Sequence, residues 1–142
     1  MFLPRGDTMA TLSDAQRAFI HDNPFVGTVT TIRADGSPHS TVVWVDAEDD
    51  LVTFNTVLGN AKERQLRADP RIAITVIDPQ DMFRWVGVTG TAEVSVEGAD
   101  AHIDKLAKKY LGVDSYPFRN PADQRVIVKV TLNKIGGIGF DG

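Results

Sequence analysis

Short apolar runs rich in valine, isoleucine and threonine alternate with turn residues along most of the chain. Runs of this composition, bounded by glycine, proline, asparagine and aspartate, are typical of β-strands. We predict six strands, which are Phe25–Arg33, His39–Asp46, Leu51–Val57, Arg71–Asp78, Phe83–Val96 and Arg125–Leu132. Because short turns join most of them, the pattern favours a largely antiparallel barrel over a parallel α/β sheet.

Glycines mark the turns and bends of this sheet. Asp35-Gly36 lies between the first two strands and predicts a tight hairpin. Gly87 and Gly90 interrupt the long fifth strand and predict a bend or bulge where the sheet curls. The glycine-rich tail Gly136–Gly139 is predicted to be a flexible terminus.

Three segments have the pattern of helices, and they are Leu12–His21, Asn60–Ala68 and Asp100–Leu111. Ser13 and Gln16 form a capping box at the start of the first helix, and Gly112 stands where the third helix should end. An apolar stripe along the third helix predicts a side that faces the core. His102, near the start of that helix, is predicted to lie on the solvated side.

Composition limits the classes of function. The chain has 142 residues, a net charge of −4 and no cysteine. The lack of cysteine excludes disulfides, thiolate zinc sites and cysteine nucleophiles, and the acidic balance argues against binding to nucleic acid or anionic membranes. Residues 1–8 lack the apolar core of a secretory signal. We therefore expect a cytoplasmic protein with a disordered or extended segment over residues 1–10 and one domain over residues 11–142.

The segment Asn60–Arg64 carries the clearest candidate chemistry. Asn60 is a good N-cap, and Glu63 is placed to complete a capping-box-like pair with it. Lys62 and Arg64 add positive charge at a helix N-terminus, which favours a bound anion such as a phosphate. From the pattern alone, an anion site and an ordinary solvated helix face are equally favoured.

Other catalytic chemistries lack their signatures. The histidines His21, His39 and His102 lie on different predicted elements and do not have the spacing of metal ligands. No nucleophile elbow, P-loop or dinucleotide-binding glycine motif follows a strand. His39 and Ser40 are adjacent in a strand and point to opposite faces, so they cannot form a catalytic pair.

The order of these elements resembles the pyridoxamine 5′-phosphate oxidase-like split-barrel superfamily. The segments that carry the resemblance are Asp35–His39, Val42–Trp44, Leu51–Thr56, Asn60–Leu66, Asp69–Ala73 and Gly90–Ala92. Within the superfamily the chain most resembles the F420-dependent flavin/deazaflavin oxidoreductases of the B group. This resemblance implies a mainly β (α+β) fold, namely a six-stranded antiparallel split β-barrel of the FMN-binding type with short flanking helices. It also implies a homodimer with the cofactor pocket between its subunits.

The resemblance also implies a set of cofactor-binding residues, with Lys62 in the position of the family's phosphate-binding lysine. The set is His39, Thr41, Val43, Asn55, Thr56, Asn60, Ala61, Lys62, Arg64 and Phe83. His39, Thr41 and Val43 alternate along a strand and should share one face, whereas Trp44 should point the other way, as a core or dimer-interface aromatic. The loop Tyr116–Arg119 is a candidate for aromatic walls of the pocket. Candidate contacts for the acidic tail of F420 are Arg119, Arg125 and Lys129.

The implied function is hydride transfer from reduced coenzyme F420 to a conjugated small molecule. No catalytic side chain is expected, because the reactive carbon belongs to the cofactor. FMN is the alternative cofactor, and a non-catalytic flavin or haem carrier is the alternative function. The chain end lacks the Arg- and His-bearing tail that holds vitamin B6 in pyridoxamine phosphate oxidases, so vitamin oxidation is less favoured.

Overall fold

The structure is a computed structural model that describes residues 9–140. The helices are α1 (Asp14–Asp22), α2 (Ala61–Ala68) and α3 (Ala99–Leu111). The strands are β1 (Gly27–Ile32), β2 (Pro38–Val43), β3 (Val45–Glu48), β4 (Leu51–Val57), β5 (Arg71–Asp78), β6 (Asp81–Ser95) and β7 (Arg125–Ile138). The three predicted helices are confirmed, and their ends agree to within about two residues, which is the usual uncertainty of a helix boundary.

The predicted disordered or extended segment over residues 1–10 lies outside the described residues, apart from Met9 and Ala10. The backbone N–H of Ala10 donates to the carbonyl of Leu132 at 2.9 Å. The chain therefore already contacts β7 before α1 begins.

The strands form one antiparallel sheet in the order β2-β1-β5-β6-β7-β4-β3. β2 and β3 stand at opposite ends of this order, although only Trp44 separates them in the chain. The sheet must therefore curl until its two ends meet at Trp44, which is the geometry of a split barrel. The mainly β antiparallel class is confirmed, but the strand count of six is wrong, because the predicted strand His39–Asp46 divides into two of the seven strands.

Contacts made by a distant tyrosine accompany the division at Trp44. Val43 pairs with β1, whereas Val45 pairs with β4. The hydroxyl of Tyr110 accepts the N–H of Val45 at 2.9 Å and donates to the carbonyl of Phe25 at 2.7 Å. One phenol on α3 thus ties the start of β3 to the segment that precedes β1.

The core fills the interior of the curled sheet. β1 and β5 show an alternating pattern in which every second side chain is buried, as expected for strands with one solvated face. β4 differs, because its central residues are buried on both faces. Its outer face lies against α3, whose His102 contacts Thr53. The buried apolar core includes Phe19, Val29, Val52, Phe54, Ile74, Val86, Val128, Val130 and Leu132.

The two longest strands, β6 and β7, are held together by close backbone contacts at glycines. The pairing register shifts between Thr89 and Gly90, which confirms the predicted bulge. The prediction of a flexible terminus over Gly136–Gly139 is wrong, because β7 continues to Ile138 and pairs with β6. At Gly137 a Cβ atom would lie 2.2 Å from the carbonyl oxygen of Trp85. Glycine therefore allows the strands to pair here, rather than marking a loose end.

Candidate functional site

A cleft opens at the corner where the chain passes from β2 to β3. Its volume is about 350 Å³, within the range of small-molecule sites. The residues that line it are Val26, Val42, Val43, Trp44, Asn55, Thr56, Val57, Asn60, Lys62, Ile103, Leu106, Tyr116, Phe118 and Arg125. This lining contains two cations and no carboxylate, although the chain as a whole has a net charge of −4. The cleft is therefore suited to an anionic ligand with an apolar part.

One wall of the cleft is aromatic. Trp44 stacks on Tyr110 with ring centroids 5.3 Å apart and an interplanar angle of 10°. Tyr116 meets Trp44 edge-on at 5.9 Å, and Phe118 meets Tyr116 at 5.7 Å. The loop after α3 therefore supplies aromatic walls, as expected for Tyr116–Arg119. Trp44 belongs to the same wall, so it contributes to the cleft and is not simply a core side chain.

The N-terminus of α2 lies beside this wall. The Asn60 side chain accepts the N–H of Glu63 at 3.1 Å, and its amide donates to the Thr56 hydroxyl at 2.5 Å. Because Thr56 accepts this bond, its own O–H remains able to donate to a ligand. Lys62 follows on the first turn of α2, and burial lowers the pKa of its ammonium. A bound anion would offset that loss of hydration.

Glu63 does not neutralise Lys62. The predicted capping-box pair is wrong in its second half, because the Glu63 carboxylate accepts from the N–H of Gly59 at 2.7 Å rather than from the N–H of Asn60. The same carboxylate is completely buried and pairs with Arg67 at 2.5 Å. Its charge is therefore balanced by Arg67 on the next turn, and Lys62 keeps its own charge available to the cleft.

A buried polar network fixes the other cation of the cleft. The Nε of Arg125 donates to Asn55 Oδ1 at 2.8 Å, and the guanidinium lies 5.1 Å from the centroid of the Tyr116 ring. The Nδ2 of Asn55 donates to the carbonyl of Ala99 at 2.9 Å and contacts His102 Nδ1 at 3.1 Å. Asn55 and His102 are both buried. The prediction of a solvated His102 is therefore wrong, because its ring turns toward β4.

Arg64 lines a different groove on the other side of α2. That groove also contains Arg33, Gln65, Asp69 and Arg71. The guanidinium of Arg64 donates to the carbonyl of Gly59. Residues two positions apart on a helix point in different directions, so Lys62 and Arg64 reach separate cavities.

The predicted cofactor residues thus fall into three groups. The residues in the cleft are Val43, Asn55, Thr56, Asn60 and Lys62. Ala61 and Arg64 line the second groove. His39 and Thr41 share a face with Val43 as predicted, yet neither lines the cleft, and His39 instead lies 3.0 Å from Gln65 of α2. Phe83 is 67 % exposed at the start of β6 and does not line the cleft of its own chain.

The sequence reading missed part of the cleft. Ile103 and Leu106 line it, although the apolar stripe of α3 was assigned to the core alone. The sequence predicts Arg125 only as a candidate contact for the acidic tail of F420. Its position opposite Val57 arises from the β4–β7 pairing, which no local pattern reveals.

A curled antiparallel sheet with a cation-bearing cleft at its corner defines the split-barrel class of flavin-type cofactor proteins. The family model described as pyridoxamine 5′-phosphate oxidase matches residues 12–139, and the chain belongs to this family. The resemblance stated from the sequence is therefore confirmed. Its members include oxidoreductases, which supports an oxidoreductase here at a coarse level.

Individual relatives agree with this assignment. The chain is 26 % identical over 132 residues to an F420H(2)-dependent biliverdin reductase of Mycobacterium tuberculosis, covering 92 % of this chain and 91 % of that protein. A pyridoxine/pyridoxamine 5′-phosphate oxidase of Pseudomonas paraeruginosa is 37 % identical over 81 residues, which are 56 % of this chain and 37 % of that protein. A solved F420 reductase structure superimposes with a TM-score of 0.73 at 28 % identity, covering 84 % of this chain and 94 % of that chain.

None of the helices within residues 9–140 has both the length and the apolar character that crossing a bilayer requires.

Proposed function

We propose that this protein is an F420-dependent reductase that transfers hydride from reduced F420 to a conjugated small molecule. The observation that carries the proposal is the cleft at the β2–β3 corner, whose lining combines Lys62 and Arg125 with apolar and aromatic walls and contains no carboxylate. The similarity over most of the chain to an F420H(2)-dependent biliverdin reductase and to a solved F420 reductase supports the choice of cofactor.

The donor set of the cleft suits the phosphate and ribityl part of such a cofactor. The Lys62 ammonium, the Thr56 hydroxyl and the α2 N-terminus capped by Asn60 are donors that lie together. Charge-assisted donors at a helix N-terminus bind phosphate oxygens well. Val43 and the Trp44 side chain offer apolar surface to a planar ring.

The side chains of the cleft have a positioning role in this proposal. When bound, the cofactor supplies the hydride, so the protein need not provide a covalent or acid–base group. Lys62 and Thr56 would hold the phosphate, while the Trp44 and Tyr116 rings restrict the planar part and exclude water. The orientation of the two reactants is then the protein's main contribution to the rate.

FMN is the second candidate cofactor, because it has the same ribityl-phosphate group and because a pyridoxine/pyridoxamine 5′-phosphate oxidase matches the chain at 37 % identity over 81 residues. The donors described above do not distinguish the two cofactors. The ring system distinguishes them in solution, since the two chromophores absorb differently.

We also infer a homodimer. The outer face of β2, β1 and β5 carries one charged side chain, Arg71 at the start of β5, which pairs with Asp69 at 2.7 Å. The rest of this face is uncharged and includes Thr28, Thr30, Ser40, Val42, Ala73, Thr75 and Ile77. Val42 is 64 % exposed and Ile77 is 43 % exposed. A largely uncharged and partly apolar surface of this kind is typical of an interface between subunits. Phe83 is exposed and lies outside the cleft of its own chain, so it is available for contact with a second subunit.

Titration of the purified protein with F420 and with FMN tests the function. We expect F420 to bind and its reduced form to be consumed when a conjugated enone or quinone is added. Lys62→Gln should weaken binding about 10- to 100-fold, because a hydrogen bond to a charged group contributes about 1.5–3 kcal/mol.

Lys108→Gln is the matched control, since Lys108 lies on the exposed side of α3 and pairs with Asp114 at 3.2 Å. Its affinity should equal that of the wild type. Tight binding of FMN without binding of F420 would replace the cofactor in the proposal. Binding of F420 with no turnover of any acceptor would favour a carrier.

A further inference from the structure

We infer that Arg125 is the second phosphate-binding cation of the cleft and that His102, acting through Asn55, is its positioning residue. The inference rests on the proposed function, because it concerns the same cleft and the same anionic group. It assigns to Arg125 the role that the helix pattern gave to Arg64.

The Arg125 guanidinium has hydrogen-bond donors that are not used within the described part of the protein. Arginine has five N–H donors in a planar fork, and here Nε alone is engaged, by Asn55 Oδ1 at 2.8 Å. Within residues 9–140 the two terminal nitrogens make no hydrogen bond and no ion pair. The Tyr116 ring lies 5.1 Å from the guanidinium, and Arg125 lines the cleft, so the unengaged donors are available to an anion there.

Among the residues described, the cleft contains two positive charges and no negative charge to balance them. Lys62 also lines it, and within the described part of the chain its ammonium has neither an ion-pair nor a hydrogen-bond partner. Two cations in one partly desolvated cavity repel each other and lose hydration. An anion between them removes both costs. A phosphate or phosphodiester suits this arrangement, because the guanidinium and the ammonium can bind its negatively charged oxygens from two sides.

The hydrogen-bond partners of Asn55 determine which atom of its side-chain amide faces Arg125. Its Nδ2 faces the carbonyl of Ala99, which can only accept a hydrogen bond. The opposite atom, Oδ1, must therefore be the acceptor that faces Arg125. This orientation fixes the guanidinium by a bond of defined direction rather than by charge alone.

The side-chain amide of Asn55 in turn determines which ring nitrogen of His102 carries the proton. Since Asn55 Nδ2 is a donor, His102 Nδ1 must accept at 3.1 Å. The proton of the neutral ring then lies on Nε2, which donates to the Thr53 hydroxyl at 3.2 Å. A proton on Nδ1 would oppose the Asn55 amide and favour its rotation. His102 therefore holds Asn55, and Asn55 holds Arg125.

Arg64 is a weaker candidate for this role. It lines the second groove, and its guanidinium is engaged by the Gly59 carbonyl. The other arginines of that groove also have partners, since Arg33 donates to the Pro38 carbonyl at 2.6 Å and Arg71 pairs with Asp69 at 2.7 Å.

The test measures dissociation constants for F420 and for inorganic pyrophosphate by calorimetry. The variants are Arg125→Gln, Arg125→Lys, Arg64→Gln, His102→Leu and His102→Gln. Arg125→Gln should weaken both ligands about 10- to 100-fold, and Arg125→Lys should restore part of the loss. Arg64→Gln should have a much smaller effect. Thermal unfolding of each variant verifies that it is folded.

The positioning role of His102 has its own readout. His102→Leu should weaken binding in the wild-type background but not further in Arg125→Gln, because its effect passes through that side chain. His102→Gln, which can accept and donate in similar directions, should restore affinity. Additive losses in the double variant, or no rescue by glutamine, would overturn the role of His102.

The outcomes separate the inference from the proposed function. If F420 binds and Arg64→Gln weakens it more than Arg125→Gln does, the inference is wrong and the proposed function stands. If neither F420 nor FMN binds, the proposed function fails, while pyrophosphate binding that depends on Arg125 still supports the anion site. Absence of pyrophosphate binding as well would overturn both.

Discussion

At the scale of single residues, His102 is a buried side chain whose protonation state affects the cleft, because its partner Asn55 contacts Arg125. The ring is 7 % exposed and lies among polar partners that require its neutral form. Burial lowers the pKa of His102 below the ordinary value of 6.5. The neighbouring carboxylates Asp46 and Glu48 oppose this effect but do not reverse it.

This pKa predicts a pH dependence of stability. Between the lowered pKa and about 6.5, the unfolded chain binds more protons than the native protein, so the free energy of unfolding must fall as the pH falls through that range. Urea unfolding of the wild type and of His102→Gln, from about pH 8 to about pH 5, measures the difference. The wild type should lose stability more steeply on acidification. Parallel curves for the two proteins would contradict the prediction.

Lys62 and Arg64 show what residue-level reading can and cannot predict. The segment Asn60–Arg64 was correctly assigned to a helix start, and Asn60 does cap it. Side chains two positions apart on a helix nevertheless point about 200° apart. Nearness in sequence therefore does not predict that Lys62 and Arg64 bind the same ligand. The burial of Lys62 and the fixed position of Arg125 depend on residues far away in the chain, which no local pattern reveals.

At the scale of elements, the pairing of β6 with β7 depends on the closeness of the two backbones. At Gly90 a Cβ atom would lie 2.0 Å from the carbonyl oxygen of Thr131. Real side chains do not tolerate such a contact, so the strands would have to separate locally. The bulge beside Gly90 is therefore a position where only glycine fits.

Gly90→Ala should destabilise the protein by about 2–4 kcal/mol, which places it among the large effects caused by overpacking. Gly136→Ala is the matched control on the neighbouring strand, because nothing lies within 4 Å of the Cβ it would add. Its stability should change by less than about 1 kcal/mol. The test compares the urea midpoints of Gly90→Ala and Gly136→Ala, and the midpoint of Gly90→Ala should be the lower. Equal midpoints would show that the strands tolerate the added methyl group.

The division of the predicted strand His39–Asp46 marks the limit of pattern reading for elements. The residues on either side of Trp44 are extended and rich in valine, so local propensity is the same throughout. What changes at Trp44 is the pairing partner, from β1 to β4. At this change of partner, the N–H of Val45 donates to the hydroxyl of Tyr110, a residue of α3 that is distant in sequence. Local signals could give the strands but not this corner.

At the scale of the whole molecule, the inferred homodimer leads to a direct test. The chain has a mass of 15.5 kDa, so the wild type should have about twice that mass in light scattering after gel filtration. Thr28→Arg places a charge in the middle of the outer face of β2, β1 and β5, and should shift the protein to the monomer mass. A buried unpaired charge at an interface is strongly unfavourable.

Thr131→Arg is the control for this experiment, because Thr131 is equally an exposed strand threonine but lies on β7, two strands away from β5. Its mass should match that of the wild type. A monomeric wild type, or a dimer that both arginine variants leave intact, would remove this face from consideration.

The class of the fold was predictable because turn spacing and alternation recur in almost every strand, and the order of elements carries the family resemblance. The cleft was predictable in part. Val43, Asn55, Thr56, Asn60 and Lys62 lie in segments that the resemblance covers, and they do line the cleft. Tyr116, Phe118 and Arg125 come from the chain beyond α3, and their arrival at the same place depends on how the sheet closes.

The corner at Trp44 also divides the cleft into a fixed half and an adaptable half. One half stands on β2, β4 and the start of α2, whose backbone bonds cannot change without opening the barrel. The other half is the loop that carries Tyr116 and Phe118, which belongs to no helix or strand. In the proposed reductase, substitution of Phe118 in that loop should reshape the space offered to an acceptor, while Tyr116 stays against the Arg125 guanidinium. The proposed reductase would therefore change its acceptor through that loop while Lys62 and Thr56 keep their place at the cofactor phosphate.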